Sequence, residues 1–258
     1  RDGPDQHPSP SPDGKYLAYT GYDDNKMAVN VAELYVLNRK TNKTKKINLK
    51  LDRSIGNLIT PPTLTWSKDG KNIYINYDDQ GNTKLARATL DGKLKVIAHN
   101  IGGVAAFGMG AYGGGSYTMS SNGNYVHTYS RPDVPSELAV GNIKGGKPKV
   151  ITSINEDILA GKELGKVEEI WYKSSYDGLD IQGWIIKPPG FDPSKKYPLI
   201  LEIHGGPFLN YGDRFDLEKQ MMAAQGYVVL YTNPRGSTSY GEKFSQLIHH
   251  DYPGDDFY

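Results

Sequence analysis

The 258-residue chain contains no cysteine. That removes disulfides, thiolate metal sites and cysteine nucleophiles, and leaves the cellular compartment open. No apolar run approaches the roughly 20 residues that a membrane-spanning helix needs. Neither sign of charge dominates, since 30 Lys and Arg stand against 29 Asp and Glu for a formal net charge of +1. A nucleic acid or an anionic membrane would call for a basic surface, so neither is expected as a partner. The densest basic cluster, Lys43, Lys45 and Lys46, reads as the solvated rim of a hairpin. The chain opens on Arg1-Asp2-Gly3-Pro4 with no initiator Met and no apolar leader, the mark of a mature product or an internal piece. What is abundant points to β structure with many tight turns: 19 tyrosines and 30 glycines.

The first 151 residues repeat a pattern. Ser11-Pro-Asp-Gly-Lys-Tyr16, Ser67-Lys-Asp-Gly-Lys-Asn72 and Ser120-Ser-Asn-Gly-Asn-Tyr125 each precede an alternating apolar stretch. The Asp/Asn-Gly pair suits a turn with positive φ, so each unit reads as a strand entered through a tight turn. A second echo follows in each unit, starting at Glu33, Lys84 and Glu137, and each ends at an isoleucine, Ile47, Ile97 or Ile151. A period of about 50 residues with several short strands fits β-propeller blades, and the absence of helical periodicity excludes helix-pair solenoids. Three blades do not close a ring, since propellers typically have four to eight, so further blades are expected upstream.

From about Lys166 the pattern changes. Residues 169–186 read as two strands around an Asp177-Gly178 hairpin turn. Residues 188–193 form a loop, and residues 199–203 read as an apolar strand buried on both faces of an α/β sheet. The spacing predicts a helix over 213–225, with Leu217, Met221, Met222 and Ala224 as its apolar stripe and Gly226 as its stop. A buried strand at 227–231, a turn-rich loop to Gly241 and a helix around 242–248 follow. Strand, loop, helix, strand is the opening of an α/β fold. The division expected is 1–165 for blades and 166–258 for the start of an α/β-hydrolase domain.

Within that second part, His204-Gly205-Gly206-Pro207 follows the apolar strand. Two adjacent glycines suit a place where backbone crowds a ligand, and such a turn aims main-chain N–H groups at the oxyanion of an acyl-transfer intermediate. Three segments, 172–184, 196–207 and 233–244, stand in fixed order behind the repeats. Together they resemble the prolyl oligopeptidase family of serine peptidases, especially its acylaminoacyl-peptidase and dipeptidyl-peptidase-like branch. The resemblance covers essentially the whole chain. It implies a propeller capping an α/β-hydrolase domain, a cavity between them, and cleavage of short peptides by a Ser-His-Asp triad without cofactor or metal. It also implies that His204, Gly205, Gly206 and Pro207 form the oxyanion loop, with the Gly206 N–H as donor. Dipeptidyl-peptidase relatives carry Tyr at the place of His204, so His204 implies the backbone-donor variant. Arg235 is expected to tie its loop to neighbouring carbonyls, with substrate contact as the alternative, and Tyr240 to shape the same loop.

The nucleophile of that family sits in a Gly-x-Ser-x-Gly elbow, which this chain lacks. Gly114-Gly-Ser-Tyr-Thr118 ends in Thr and lies in a blade, and Ser237-Thr-Ser-Tyr-Gly241 fails at its first position. The triad is therefore expected outside the chain, and the chain alone is predicted to be inactive. His249 and His250 read as a helix end whose adjacent rings face apart, His7, His99 and His127 have no ligand spacing, and Asp255 and Asp256 read as a helix start. The expected partners are short peptides and the remainder of the same enzyme, and a homo-oligomer is left open. Two alternative functions remain: an esterase on the same scaffold, or a propeller binding module joined to a degenerate hydrolase.

Overall fold

Each repeat folds into one four-stranded antiparallel sheet whose strands pair in chain order. The computed structural model describes residues 2–57, 59–103 and 111–257. The first sheet holds β1 (Asp5–Pro10), β2 (Tyr16–Gly21), β3 (Glu33–Asn38) and β4 (Lys43–Lys46). The second holds β5 (Thr65–Trp66), β6 (Asn72–Asp79), β7 (Asn82–Thr89) and β8 (Leu94–Ala98). The third holds β9 (Tyr117–Met119), β10 (Asn124–Arg131), β11 (Val134–Asn142) and β12 (Lys149–Val150). The second sequence echo falls on the third strand of every sheet, β3, β7 and β11.

The repeated Ser-x-Asp-Gly turn is a small hydrogen-bonded device. The Ser11 hydroxyl donates to Asp13 Oδ1 at 2.8 Å and accepts from the Tyr16 N–H at 2.9 Å, which fixes the first residue of β2. Ser67 does the same with Asp69 at 2.6 Å and Asn72 N at 2.9 Å. Gly14 and Gly70 sit at φ +68° and +67°, where a Cβ would strain the backbone. The third turn keeps the first contact and changes the second: the Ser120 hydroxyl reaches Asn122 Oδ1 and the Asn124 carbonyl, the latter at 2.9 Å, and the Asn124 N–H goes to Asn122 Oδ1 at 3.2 Å instead of to the serine. Lys43 and Lys45 on β4 are exposed, as a hairpin rim requires, and Lys46 pairs with Glu33.

Neighbouring sheets bury their facing sides against each other. Ala18, Leu34 and Val36 of the first pack with Ile73, Ile75, Ala86 and Trp66 of the second. Trp66 Nε1 donates to the Ser9 carbonyl at 2.9 Å, so the indole is anchored as well as buried. Tyr74 and Leu85 of the second sheet meet Tyr117 and Tyr125 of the third. Full burial of each large side chain contributes about 1.5–3 kcal/mol.

After a short helix α1 (Glu156–Leu159) comes a mixed sheet of different construction. It contains β13 (Lys166–Lys173), β14 (Asp180–Lys187), β15 (Leu199–Ile203) and β16 (Val228–Asn233), in spatial order β13-β14-β16-β15. The 177–178 hairpin turn forms as expected, with Gly178 at φ +74°. β15 and β16 run parallel, joined by a crossover through α2 (Leu217–Ala224). A further helix α3 (Glu242–Ser245) runs into a 3₁₀ turn over Gln246–Ile248.

Three expectations fail here. β15 is an edge strand, and Leu199, Leu201 and Ile203 are each more than half exposed, so it is not buried on both faces. The predicted 213–225 helix is shorter: Asp216 caps it by accepting from the Lys219 N–H at 3.1 Å, which places residues 213–215 outside. Its buried face is Lys219, Gln220 and Ala223, whereas Leu217 and Met221 of the expected apolar stripe are more than half exposed. Gln220 explains part of this exchange, because its amide bonds the Gly165 N–H at 2.7 Å and the Gly165 carbonyl at 3.1 Å. The side chain thus acts as a backbone-like bridge to the start of β13.

Candidate active site

Parallel pairing of β15 with β16, Ile203 opposite Thr232, brings the carboxyl ends of both strands to one side. Ligands in open α/β sheets bind at such ends. The two loops leaving them, 204–210 and 234–241, accordingly meet although 33 residues separate their contacts. His204 Nε2 lies 2.9 Å from Ser237 Oγ, and Nδ1 lies 3.0 Å from the Gly205 carbonyl. Both His204 and Ser237 are buried. Burial pushes the imidazole below its ordinary pKa, the Gly205 contact opposes this, and Lys219 adds to it, so the ring is neutral at pH 7.

A serine and a histidine at this distance have the composition of a nucleophile and its base. The geometry is different. The Ser237 Oγ lies 2.9 Å from His204 Nε2 and 2.6 Å from the Pro234 carbonyl; with Nδ1–H on the Gly205 carbonyl, the one hydroxyl proton goes to Nε2, and the side chain is closed off from solvent. The second ring nitrogen faces a carbonyl rather than a carboxylate. Ser237 is therefore placed as a lock on the His204 ring, a role that no local motif announces.

What the ring holds matters more. The Gly205 carbonyl and the Gly206 N–H are opposite ends of one planar peptide. Fixing the carbonyl toward His204 turns the N–H the other way. Among the described residues no hydrogen bond takes up that N–H. Gly205 and Gly206 are exposed, and Gly205 has no neighbouring atom within reach of a Cβ, which leaves room for a reacting group. Gly206 itself sits at φ +138° and precedes a cis bond to Pro207. A small cavity of about 370 Å³ begins just past Pro207. It lies between the first two sheets and both loops, and its walls include Asp52, Arg53, Asp78, Phe208, Asn210 and Thr238.

Arg235 is buried and its guanidinium reaches the hairpin of β13 and β14. It donates to Ser174 Oγ at 2.9 Å and to the Asp177 carboxylate, and stacks 5.3 Å over the Tyr176 ring. Its main partners are thus a hydroxyl and a carboxylate where carbonyls were expected; the Asp255 carbonyl at 3.4 Å is a lesser one. Against the cost of desolvation, the Leu179 N–H and Arg235 hold the Asp177 carboxyl below the usual range. The Tyr240 hydroxyl accepts from Asn233 Nδ2 at 2.6 Å and donates to Gln182, tying its loop to β14 and β16. Arg214, unremarked in the sequence, is fully buried where the last sheet meets the second, with Nη2 2.7 Å from both Thr83 Oγ1 and the Ile101 carbonyl. Burial lowers its pKa, opposed by the nearby charges of Asp78 and Asp213.

The scattered histidines serve structure. His249 and His250 do not face apart: His250 adopts φ +59° beyond the 3₁₀ turn, and the rings lie 3.9 Å from each other. His249 Nδ1 accepts from the Ala28 N–H at 3.0 Å. His127 is buried against Tyr125, and burial lowers its pKa. Ser116 of the Gly114-Gly-Ser-Tyr-Thr118 segment is exposed just ahead of β9. Asp255 and Asp256 open a 3₁₀ turn, Asp255–Phe257. No helix among the described residues is long and apolar enough to cross a membrane.

Comparison with known proteins bears on the family and the fold. The model of the prolyl oligopeptidase family matches residues 213–258. An uncharacterized peptidase of Bacillus subtilis, YuxL, is 32% identical over 192 residues, 74% of this chain and 28% of that protein. Dipeptidyl-peptidase 5 of Porphyromonas gingivalis is 30% identical over 257 residues, 98% of this chain and 35% of that protein. The chain spans about a third of the length of the curated relatives it matches. Among solved structures, Pyrococcus horikoshii acylaminoacyl peptidase superposes with a TM-score of 0.72 at 24% identity, covering 95% of this chain and 35% of that one. A puromycin hydrolase superposes with a TM-score of 0.67 at 18% identity, covering 98% and 37%. At these identities the likeness speaks to the fold alone.

Proposed function

Because the chain belongs to the prolyl oligopeptidase family, we propose that it forms part of a serine peptidase that cleaves short peptides by acyl transfer to water. In this reading, residues 1–165 are propeller blades and residues 166–258 open an α/β-hydrolase domain. The observation that carries it is the outward Gly206 N–H, free of any hydrogen bond among the described residues and oriented by His204. His204, Gly205, Gly206 and Pro207 act as the oxyanion loop, and Arg235 and Tyr240 shape the neighbouring loop from behind. The nucleophile, its base and the orienting acid belong to the length that the relatives have and this chain does not span. Substrate enters from the cavity beside Phe208 and Asn210, between the sheets and the two loops.

Chemically, attack of a serine on a peptide carbonyl moves negative charge onto its oxygen. A preorganised N–H aimed at that oxygen stabilises the transition state by about 3–4 kcal/mol. The bare apolar side of β15 and α2 supports the assignment of a partial sheet, since so large an exposed surface marks a place of contact.

The test uses the full-length protein that contains this chain. A fluorophosphonate probe should label one serine outside residues 1–258, and the protein should cleave the amide bonds of short peptides, which a simple esterase leaves intact. Replacement of Gly206 by Ala should lower kcat about 10²–10³-fold with little change in KM, because a side chain at φ +138° forces the peptide to turn. Absence of labelling, or an unchanged kcat in the Gly206 variant, would defeat the proposal.

A further inference from the structure

The oxyanion turn is braced by a residue that the last sheet does not supply. Residues 111–113 leave the region between β8 and β9 and pair antiparallel with residues 210–212, the exit of the turn. Tyr112 bridges Tyr211, the Gly113 N–H donates to the Asn210 carbonyl at 2.9 Å, and the Gly212 N–H donates to the Ala111 carbonyl at 2.7 Å. This pairing brings the Tyr112 ring edge-on to His204, with centroids 6.3 Å apart at 72°. Tyr211 meets the same imidazole at 5.1 Å and 86°, and the two tyrosines lie 5.2 Å from each other. Both contacts have the edge-to-face form that aromatic quadrupoles favour.

Behind Tyr211 the brace continues to a buried ion pair. Lys219 Nζ lies 4.6 Å from the Tyr211 centroid and 5.4 Å from that of Tyr231, and 2.6 Å from Asp216 Oδ2. All of these side chains are buried. His204 is therefore enclosed by two rings, while its nitrogens engage Gly205 and Ser237. With the ring unable to rotate, the peptide between Gly205 and Gly206 is held as well.

We propose that Tyr112 is a positioning residue: its ring holds the His204 imidazole, and through it the Gly205–Gly206 peptide, in the orientation that presents the Gly206 N–H. Docking of the preceding sheets is then a condition for a formed oxyanion site, because Tyr112 comes from among them. The catalytic consequence rests on the serine peptidase reading above, whereas the mechanical one does not.

Two measurements on the full-length protein separate them. Hydrogen exchange read by mass spectrometry reports the turn without any need for activity. In Y112A, the hydrogen-bonded amides of Leu209, Tyr211 and Gly212 at the exit of the turn should exchange about tenfold faster than in the parent, while those of β6 keep their protection. Y112F, which retains the ring, should stay near the parent. Unchanged exchange at Leu209, Tyr211 and Gly212 in Y112A, or an equal rise in β6, overturns the proposal. If Y112A does not fold, Y112L keeps the apolar bulk and carries the same comparison. In the kinetic arm, Y112A should lose about tenfold in kcat with KM held within about twofold, and Y112F should recover most of it. A loss confined to KM would also overturn it. A parent protein that neither takes a fluorophosphonate label nor cleaves peptides would remove the peptidase reading, and the exchange result would still decide the brace.

Discussion

The three antiparallel sheets and the mixed sheet treat apolar side chains in opposite ways. In the second sheet, Ile73, Ile75 and Leu85 are fully enclosed, because a neighbouring sheet stands on each side. In the mixed sheet, Leu199, Leu201 and Ile203 on β15 and Leu217 and Met221 on α2 lie open. The residue types are alike; the difference is the presence of a covering layer. An apolar sequence thus reports that a strand wants a partner, and only the packed structure reports whether it has one.

Substitutions that break this contrast should give the largest effects. Ile75→Ala in the second sheet should cost about 2–5 kcal/mol, read as a lowered urea midpoint, whereas Leu201→Ala should change it by less than about 0.5 kcal/mol in the 258-residue chain. Equal losses at both sites would mean that β15 is covered in solution. Arg235→Met comes next. It removes charge-assisted bonds to Ser174 and Asp177 worth about 1.5–3 kcal/mol, and should loosen the 174–179 hairpin in hydrogen exchange before any other part of the mixed sheet. Within the repeats, Ser11→Ala and Ser67→Ala should each cost about 1 kcal/mol by thermal melting, and Ser120→Ala less, since Ser120 holds no strand amide.

Mild acid gives the gentlest perturbation and touches both regions. Burial lowers the pKa of His127 among the repeats and of His204 beside the turn. The unfolded chain therefore binds more protons, so this contribution to stability is complete above the ordinary histidine value near 6.5 and is lost as pH falls through the lower folded values. The urea midpoint should drop between about pH 7.5 and about pH 5.5, and His127→Gln should flatten that drop. A midpoint that rises on acidification would contradict neutral burial of these rings.

The legible parts of this molecule are those governed by neighbours in sequence. The Ser-x-Asp-Gly turns, the 177–178 hairpin and the Gly226 stop are set within a few residues, and all form where the sequence places them. The Gly205-Gly206 pair was visible as a turn, but Gly205 stands in open space and not in the crowded backbone its sequence suggests. Errors arose where burial depends on distant layers, as for residues 199–203 and the face of α2. His204 with Ser237, Tyr112 with Tyr211 and Arg214 with Thr83 join positions 33, 99 and 131 residues apart, and no periodicity encodes such meetings.

The strand order of the mixed sheet also has a temporal side. After the first strand of each of the first three sheets, every strand pairs with the one made just before it, so each sheet can close while synthesis continues. β16 lies between β14 and β15 and is made after both. Until Val228–Asn233 leaves the ribosome, β15 has no strand to join, and its backbone N–H and carbonyl groups stay open to chaperones and to other nascent chains. The turn at His204 is translated early, yet its scaffold closes late.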